Sequence, residues 1–220
     1  MNDLPNANYL LFFLLFVAWA VLHSVMAAIG LKRLFRNRFG EAAYTGWYRL
    51  LYNLFSLVTF LPLYWLIPVL LPQTVVWSWS RPYLYLAYFL QLTGLVGLAY
   101  SLWLTDIWDF LGVRQALWFV RSTGEGKLAE MPSPRFITNG PYALVRHPLY
   151  FFSLLLLWFN PVMTVASLMF YTAVTLYFWL GSIYEEKKLA AGFGEAYHTY
   201  QQRVPRLFPI RLQRPQKPSF

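Results

Sequence analysis

Charge is scarce in this sequence. Only 12% of its 220 residues are Asp, Glu, Lys or Arg, against about 25% in an ordinary soluble domain. Much of the folded surface therefore does not face water. Cysteine is absent altogether, which excludes disulfides, thiolate metal sites and a cysteine nucleophile. There are nine acidic residues against 18 basic ones, and three histidines. None of them stands at metal-ligand spacing, so no metal is expected. No internal repeat is evident.

What the chain has in place of charge is long apolar runs. Tyr9 to Ile29 carries no charged residue, Leu50 to Val76 is uncharged for 27 residues, and Pro82 to Thr105 for 24. About 20 apolar residues cross a bilayer core, so the chain reads as a polytopic membrane protein. No Lys or Arg precedes Lys32. The first run thus lacks the basic flank of a secretory signal and is expected to be retained. The pattern predicts an all-α membrane bundle of about five transmembrane helices, at 9–29, 49–71, 83–104, 148–159 and 162–184. Asn160-Pro161 breaks the last stretch in two, making its halves a helical hairpin. One domain covers 1–220, ending in a Pro-rich, extended tail at 211–220.

The net charge of +9 is unevenly placed. Lys32, Arg33, Arg36, Arg38 and Arg49 follow the first helix, and Arg114 to Arg146 follow the third. Lys187 to Lys217 follow the fifth, and only Arg81 of the 18 basic residues falls on the other side. The positive-inside rule then puts the N-terminus outside and the C-terminus in the cytoplasm, with a bacterial inner membrane as the expected location. Topology and anionic lipid account for the basic excess, and no nucleic-acid partner is expected.

The polar residues gather at the basic ends of the helices. In "GPYALVRHPLYFF" (140–152), Pro148 suits the first turn of a helix. That helix start, with Arg146, His147 and Tyr150 beside it, is a ready anion site. The fifth helix is expected to end in Tyr184-Glu185-Glu186, and the hairpin returns these carboxylates to the same place. A zwitterionic or cationic small molecule fits both halves. Beyond it, Tyr197 and Tyr200 share a helix face, and Arg203 and Arg206 flank Pro205. This cytoplasmic segment is either an amphipathic interfacial helix or a lid over the pocket.

"NGPYALVRHPLY" followed by "EEKKLAAGFGEAYHTYQQRVPRLFP" resembles the paired signature of the isoprenylcysteine carboxyl methyltransferase and phospholipid methyltransferase superfamily, which are membrane enzymes using S-adenosylmethionine. The resemblance covers about 139–209. It implies a cofactor site of Tyr142, Arg146, His147, Pro148, Tyr150, Glu185 and Glu186, closed by the segment of Tyr197, Tyr200, Arg203 and Arg206. The 135–210 region is then the cofactor-binding core and 1–120 the acceptor side. "LHSVMAAIGLKRLF", "YRLLYNLFSL", "DFLGVRQ" and "NPVMT" are similar to the methanethiol S-methyltransferase branch and its NnrU-like neighbours. They imply methyl transfer to a small thiol.

Residues on the N-terminal side bear on the acceptor. An intramembrane ionisable residue is a functional candidate, and His23 is one, beside Ser24. Arg49, Asn53 and Ser56 recur at helical spacing as a polar stripe facing the bundle. Gly94, Gly97 and Ser101 form a small-residue seam suited to packing. Asp106, Asp109, Arg114 and Gln115 make a patch that either lines the acceptor entrance or pairs internally. A thiol reacts as its thiolate; His23 or an Asp such as Asp109 is the candidate proton acceptor. Arg114, Arg203 and Arg206 are candidates to favour the anion. Three other readings stay open: a lipid-linked acceptor (prenylcysteine carboxylate or phospholipid amine), a nicotinamide-dependent membrane reductase, and a non-enzymatic membrane accessory protein.

Overall fold

The computed structural model describes residues 4–125 and 135–210; the tail at 211–220 lies outside the described residues. The described chain is almost wholly helical. In order it runs α1 (Leu4–Ala27), α2 (Ile29–Phe39), α3 (Glu41–Leu70), β1 (Val75–Ser78), α4 (Tyr83–Leu104), α5 (Ile107–Leu111) and α6 (Val113–Glu125). After these come α7 (Pro141–Leu144), α8 (Pro148–Trp158), β2 (Val162–Thr164), α9 (Val165–Phe193) and α10 (Glu195–Arg203).

Four helices, α1, α3, α4 and α9, are long and apolar enough to cross a bilayer. The expected fourth span is shorter than its fellows. At 11 residues α8 rises about 16 Å, roughly half a bilayer core. The rest of that pass is extended chain, because β2 pairs antiparallel with β1, Thr164 opposite Val75 and Val162 opposite Ser78. This small ladder joins the connections 71–82 and 159–164 at one end of the bundle. The basic segments α2, α5–α6 and α10 all lie at the other end.

The helix limits depart from the apolar runs for local reasons. Helix α9 starts at Val165 instead of 162 because Thr164 caps it: the Thr164 hydroxyl accepts from the Ser167 N–H and the Ser167 side chain returns the bond. It continues to Phe193, well past the expected stop at 184. Helix α3 begins at Glu41, about two turns before the apolar run. Gly40, with φ of +88°, makes the turn from α2.

Packing explains the small residues. A Cβ at Gly94 would stand 3.0 Å from backbone atoms of Leu156 and Phe152, and one at Gly97 would enter the Phe152 ring. Helices α4 and α8 therefore touch almost backbone to backbone. Arg49 and Asn53 do not face the bundle. They hold α5, donating to Asp109 Oδ2 (2.9 Å) and to the Phe110 carbonyl (2.9 Å). Asp106 adopts φ of +61° as the cap of α5 and pairs with Arg114. Gln115 bonds Asp109 at 2.9 Å. The acidic patch is thus internally paired.

Candidate active site

At the basic end of the bundle, the chain from Gly140 to Pro148 folds as two short turns. Gly140, φ of +57°, starts α7 in a space already bounded by Leu104 and Tyr100. The next extended residues run beside the segment after α10: the Arg146 N–H donates to the Pro205 carbonyl (2.9 Å) and the His147 N–H to the Arg206 carbonyl (3.1 Å). Pro148 then occupies the first turn of α8, where its missing donor is harmless.

A cavity of about 200 Å³ opens here. Tyr142, Arg146, His147, Pro148, Tyr150, Glu185, Tyr197 and Tyr200 all line it, with Thr105, Arg135, Phe136, Leu189 and Phe193 among the others. The first turn of α8 forms one wall, so the positive end of its dipole faces inward. Phe136 stacks on Phe193 at 4.8 Å and meets Tyr200 edge-on at 5.5 Å, making the opposite wall aromatic. Phe136 and Phe193 went unnoticed in the sequence, because each stands alone beside a glycine or a polar stretch and carries no periodic signal.

The tandem carboxylates have separate environments. They sit within α9, about two turns before its end, and not at its C-terminus. Glu186 is consumed internally: Arg146 Nε donates to its Oε1 at 2.5 Å and Gln201 Nε2 to its Oε2 at 3.0 Å. Arg146 also donates to the carbonyls of Gln201 and Val204. Its guanidinium fastens α10 and the following segment to α9, and its side chain lines the cavity as well. Glu185 faces the cavity, its Oε2 accepting from the Tyr150 hydroxyl at 2.9 Å. His147 lies between the two, Nδ1 3.4 Å from Glu185 and Nε2 3.4 Å from Glu186; that Nε2 has no aligned hydrogen-bond partner.

Burial opposes charge on His147, but the Glu185 and Glu186 carboxylates outweigh it and its pKa is raised. The folded pKa thus exceeds the unfolded one. The stabilisation is complete below the ordinary imidazole value of about 6.5 and is lost as pH rises through the folded pKa. Melting curves in detergent should therefore show stability falling as pH rises above about 6.5. His147→Gln should flatten that decline, and an unchanged slope would refute the assignment.

The remaining candidates lie elsewhere. Arg203 ends α10 and Arg206 stacks on Trp179 at 4.3 Å; neither lines the cavity. Asp109 and Arg114 belong to the α5–α6 clasp and do not line the cavity. His23 stands inside the bundle against Tyr52 and Tyr177.

Comparison with known proteins is consistent with this picture. The chain is 32% identical to methanethiol S-methyltransferase 1 of Bradyrhizobium diazoefficiens over 212 residues, 96% of this chain and 70% of that protein. It is 34% identical to methanethiol S-methyltransferase 2 of the same organism, covering 89% and 71%. It is 33% identical to the methanethiol S-methyltransferase of Pseudomonas deceptionensis, covering 92% and 73%. No family model and no solved structure matches. These similarities over nearly the whole chain set aside the reductase and accessory readings: the protein is a membrane methyltransferase and belongs to the methanethiol S-methyltransferase family.

Proposed function

We propose that this protein binds S-adenosylmethionine in the cavity between α8, α9 and α10 and transfers its methyl group to methanethiol. The observation that carries the donor is a fixed carboxylate, Glu185, facing an aromatic wall. Beside it the Tyr197 hydroxyl is buried without a hydrogen-bond partner. Those residues fit a molecule that pairs positive charge with a planar base and a carboxylate. The acceptor follows from the relatives, each of which is named for methanethiol.

When bound, the donor supplies a methyl carbon on positively charged sulfur, open to in-line displacement. Glu185, held by Tyr150, is placed to accept a hydrogen bond from the donor's ammonium. Burial and the Glu185 carboxylate push Tyr142 up to about 12, so its hydroxyl stays protonated and able to donate. Phe136, Phe193 and Tyr200 exclude water, and Arg146 keeps α10 seated over the site. Positioning of this kind supplies much of the acceleration in a two-substrate transfer. Residues 135–210 hold the donor and 1–120 the acceptor side. The basic end of the bundle lies in the cytoplasm by the positive-inside rule, in a bacterial inner membrane.

Two measurements test the reading: calorimetric titration of the detergent-purified protein with S-adenosylhomocysteine, and transfer of labelled methyl to methanethiol. Saturable binding and labelled dimethyl sulfide are expected. A folded sample that binds nothing would end the donor assignment. Label appearing in prenylcysteine or phospholipid, and not in the thiol, would replace the acceptor.

A further inference from the structure

Helices α1, α3 and α9 are apolar over most of their lengths, yet each sends a polar ring to one point. His23 Nδ1 lies 2.5 Å from the Tyr177 hydroxyl and Nε2 2.7 Å from the Tyr52 hydroxyl. Trp19 stacks on the imidazole at 5.3 Å. A neutral imidazole has one N–H and one bare nitrogen. Each tyrosine hydroxyl can donate to the bare nitrogen or accept from the ring N–H, and the Tyr52 hydroxyl also lies 3.3 Å from Nδ1. Polar groups are costly at this depth and mark function by default. Nothing in the donor cavity uses them.

Geometry links the two places. Tyr177, Gly181 and Glu185 recur every fourth residue of α9 and so share a face. At Gly181 that face is open: a Cβ there would meet only the Tyr150 hydroxyl, at 3.9 Å. Tyr150 donates to Glu185, lines the cavity and stacks on Phe178 at 4.5 Å. The imidazole and the donor cavity are thus neighbours along α9, with one turn bare of side chain between them.

We propose that Tyr52, His23 and Tyr177 form the proton-accepting chain for the thiol, with its sulfur seated at the open turn of Gly181. The inference rests on the thiol-methylation reading above and deepens it. The S–H proton passes to the tyrosine that donates to His23, as that tyrosine gives its own proton to the bare ring nitrogen. The thiolate's electron pair forms the new bond to the methyl carbon. The carbon's bond to the donor sulfur breaks, and its pair stays on that sulfur, leaving a neutral thioether. One positive charge moves from sulfonium to imidazolium. The imidazolium then loses its proton to water at the nearby end of α1.

Charged and titratable groups of both signs face this chain. From α9, Lys188 donates to the Ala27 carbonyl at 3.1 Å and Glu185 faces the cavity. From α3 come Arg49 and the Tyr48 hydroxyl, which donates to the Met26 carbonyl. From α2 comes Lys32, whose ammonium is depressed by burial and then by the like charges of Lys188, Arg49 and Arg36.

The test uses the full-length protein in detergent. His23→Gln keeps hydrogen bonds to both tyrosines but takes no proton. It is expected to lower kcat/KM for methanethiol about 100-fold near neutral pH and leave S-adenosylhomocysteine affinity within about twofold. The deficit should shrink at least about tenfold towards pH 10, where solution supplies the thiolate. A deficit equal at every pH, or activity within about threefold of wild type, overturns the proposal. Absence of S-adenosylhomocysteine binding in the wild type would instead strike the donor reading. Should His23→Gln misfold, Tyr52→Phe and Tyr177→Phe decide: at least one should show the same deficit near neutral pH and its recovery towards pH 10, and wild-type activity in both overturns the assignment.

Discussion

Arg146→Ala is expected to cost about 3–5 kcal/mol of stability, the range found when one partner of a buried ion pair is removed. Its side chain and that of Glu186 are only 10% and 13% exposed. The loss extends beyond the pair, because the carbonyls of Gln201 and Val204 lose their donor as well. Helix α10 and the segment to Arg206 should then lift from α9. A fall in melting temperature would register the energy. Protease cleavage within 195–206, absent in the wild type, would register the movement. Arg146→Lys should fall between the two, since one ammonium does not reproduce the guanidinium fork over three acceptors. Replacing both partners with methionine should recover part of the loss by removing the unpaired charge. Wild-type stability in Arg146→Ala would remove the clamp from this account.

Glu185→Gln should weaken S-adenosylhomocysteine binding about 10- to 100-fold while lowering the melting temperature less than Glu186→Gln does. A hydrogen bond to a charged group contributes about 1.5–3 kcal/mol, which converts to that range of affinity. The neighbouring Glu186→Gln should do the reverse. It breaks the pair with Arg146, so stability falls first and binding suffers only as α10 loosens. Calorimetry and melting curves on the two variants separate the roles. Equal binding losses at equal stability would mean the two carboxylates act together on the ligand.

Chemistry carried by neighbours in the chain was legible without the fold. The uncharged runs demanded a membrane bundle, Asn160-Pro161 had to stop a helix, and Pro148 had to start one. Gly94 and Gly97 marked a close helix contact because only a missing side chain permits one. Each of these follows from local sterics or from transfer of a long apolar run out of water, which no distant residue reverses.

The tertiary structure decided where each polar side chain points. Adjacent residues on a helix differ by about 100°, so Glu185 and Glu186, identical in sequence terms, face different neighbours. One meets Tyr150 and the cavity, the other Arg146 and α10. Arg146 turned inward because three acceptors met it there, the Glu186 carboxylate of α9 and the carbonyls of Gln201 in α10 and Val204 just after it. Residues 71–82 and 159–164 became a ladder because their unpaired backbone groups meet only after the helices pack. His23 found Tyr52 and Tyr177 across 29 and 154 residues of chain. Sequence alone determined that a polar ring lay inside the membrane and that carboxylates stood near an arginine. Which partner each one met depended on contacts between helices far apart in the chain, and no local pattern encodes those.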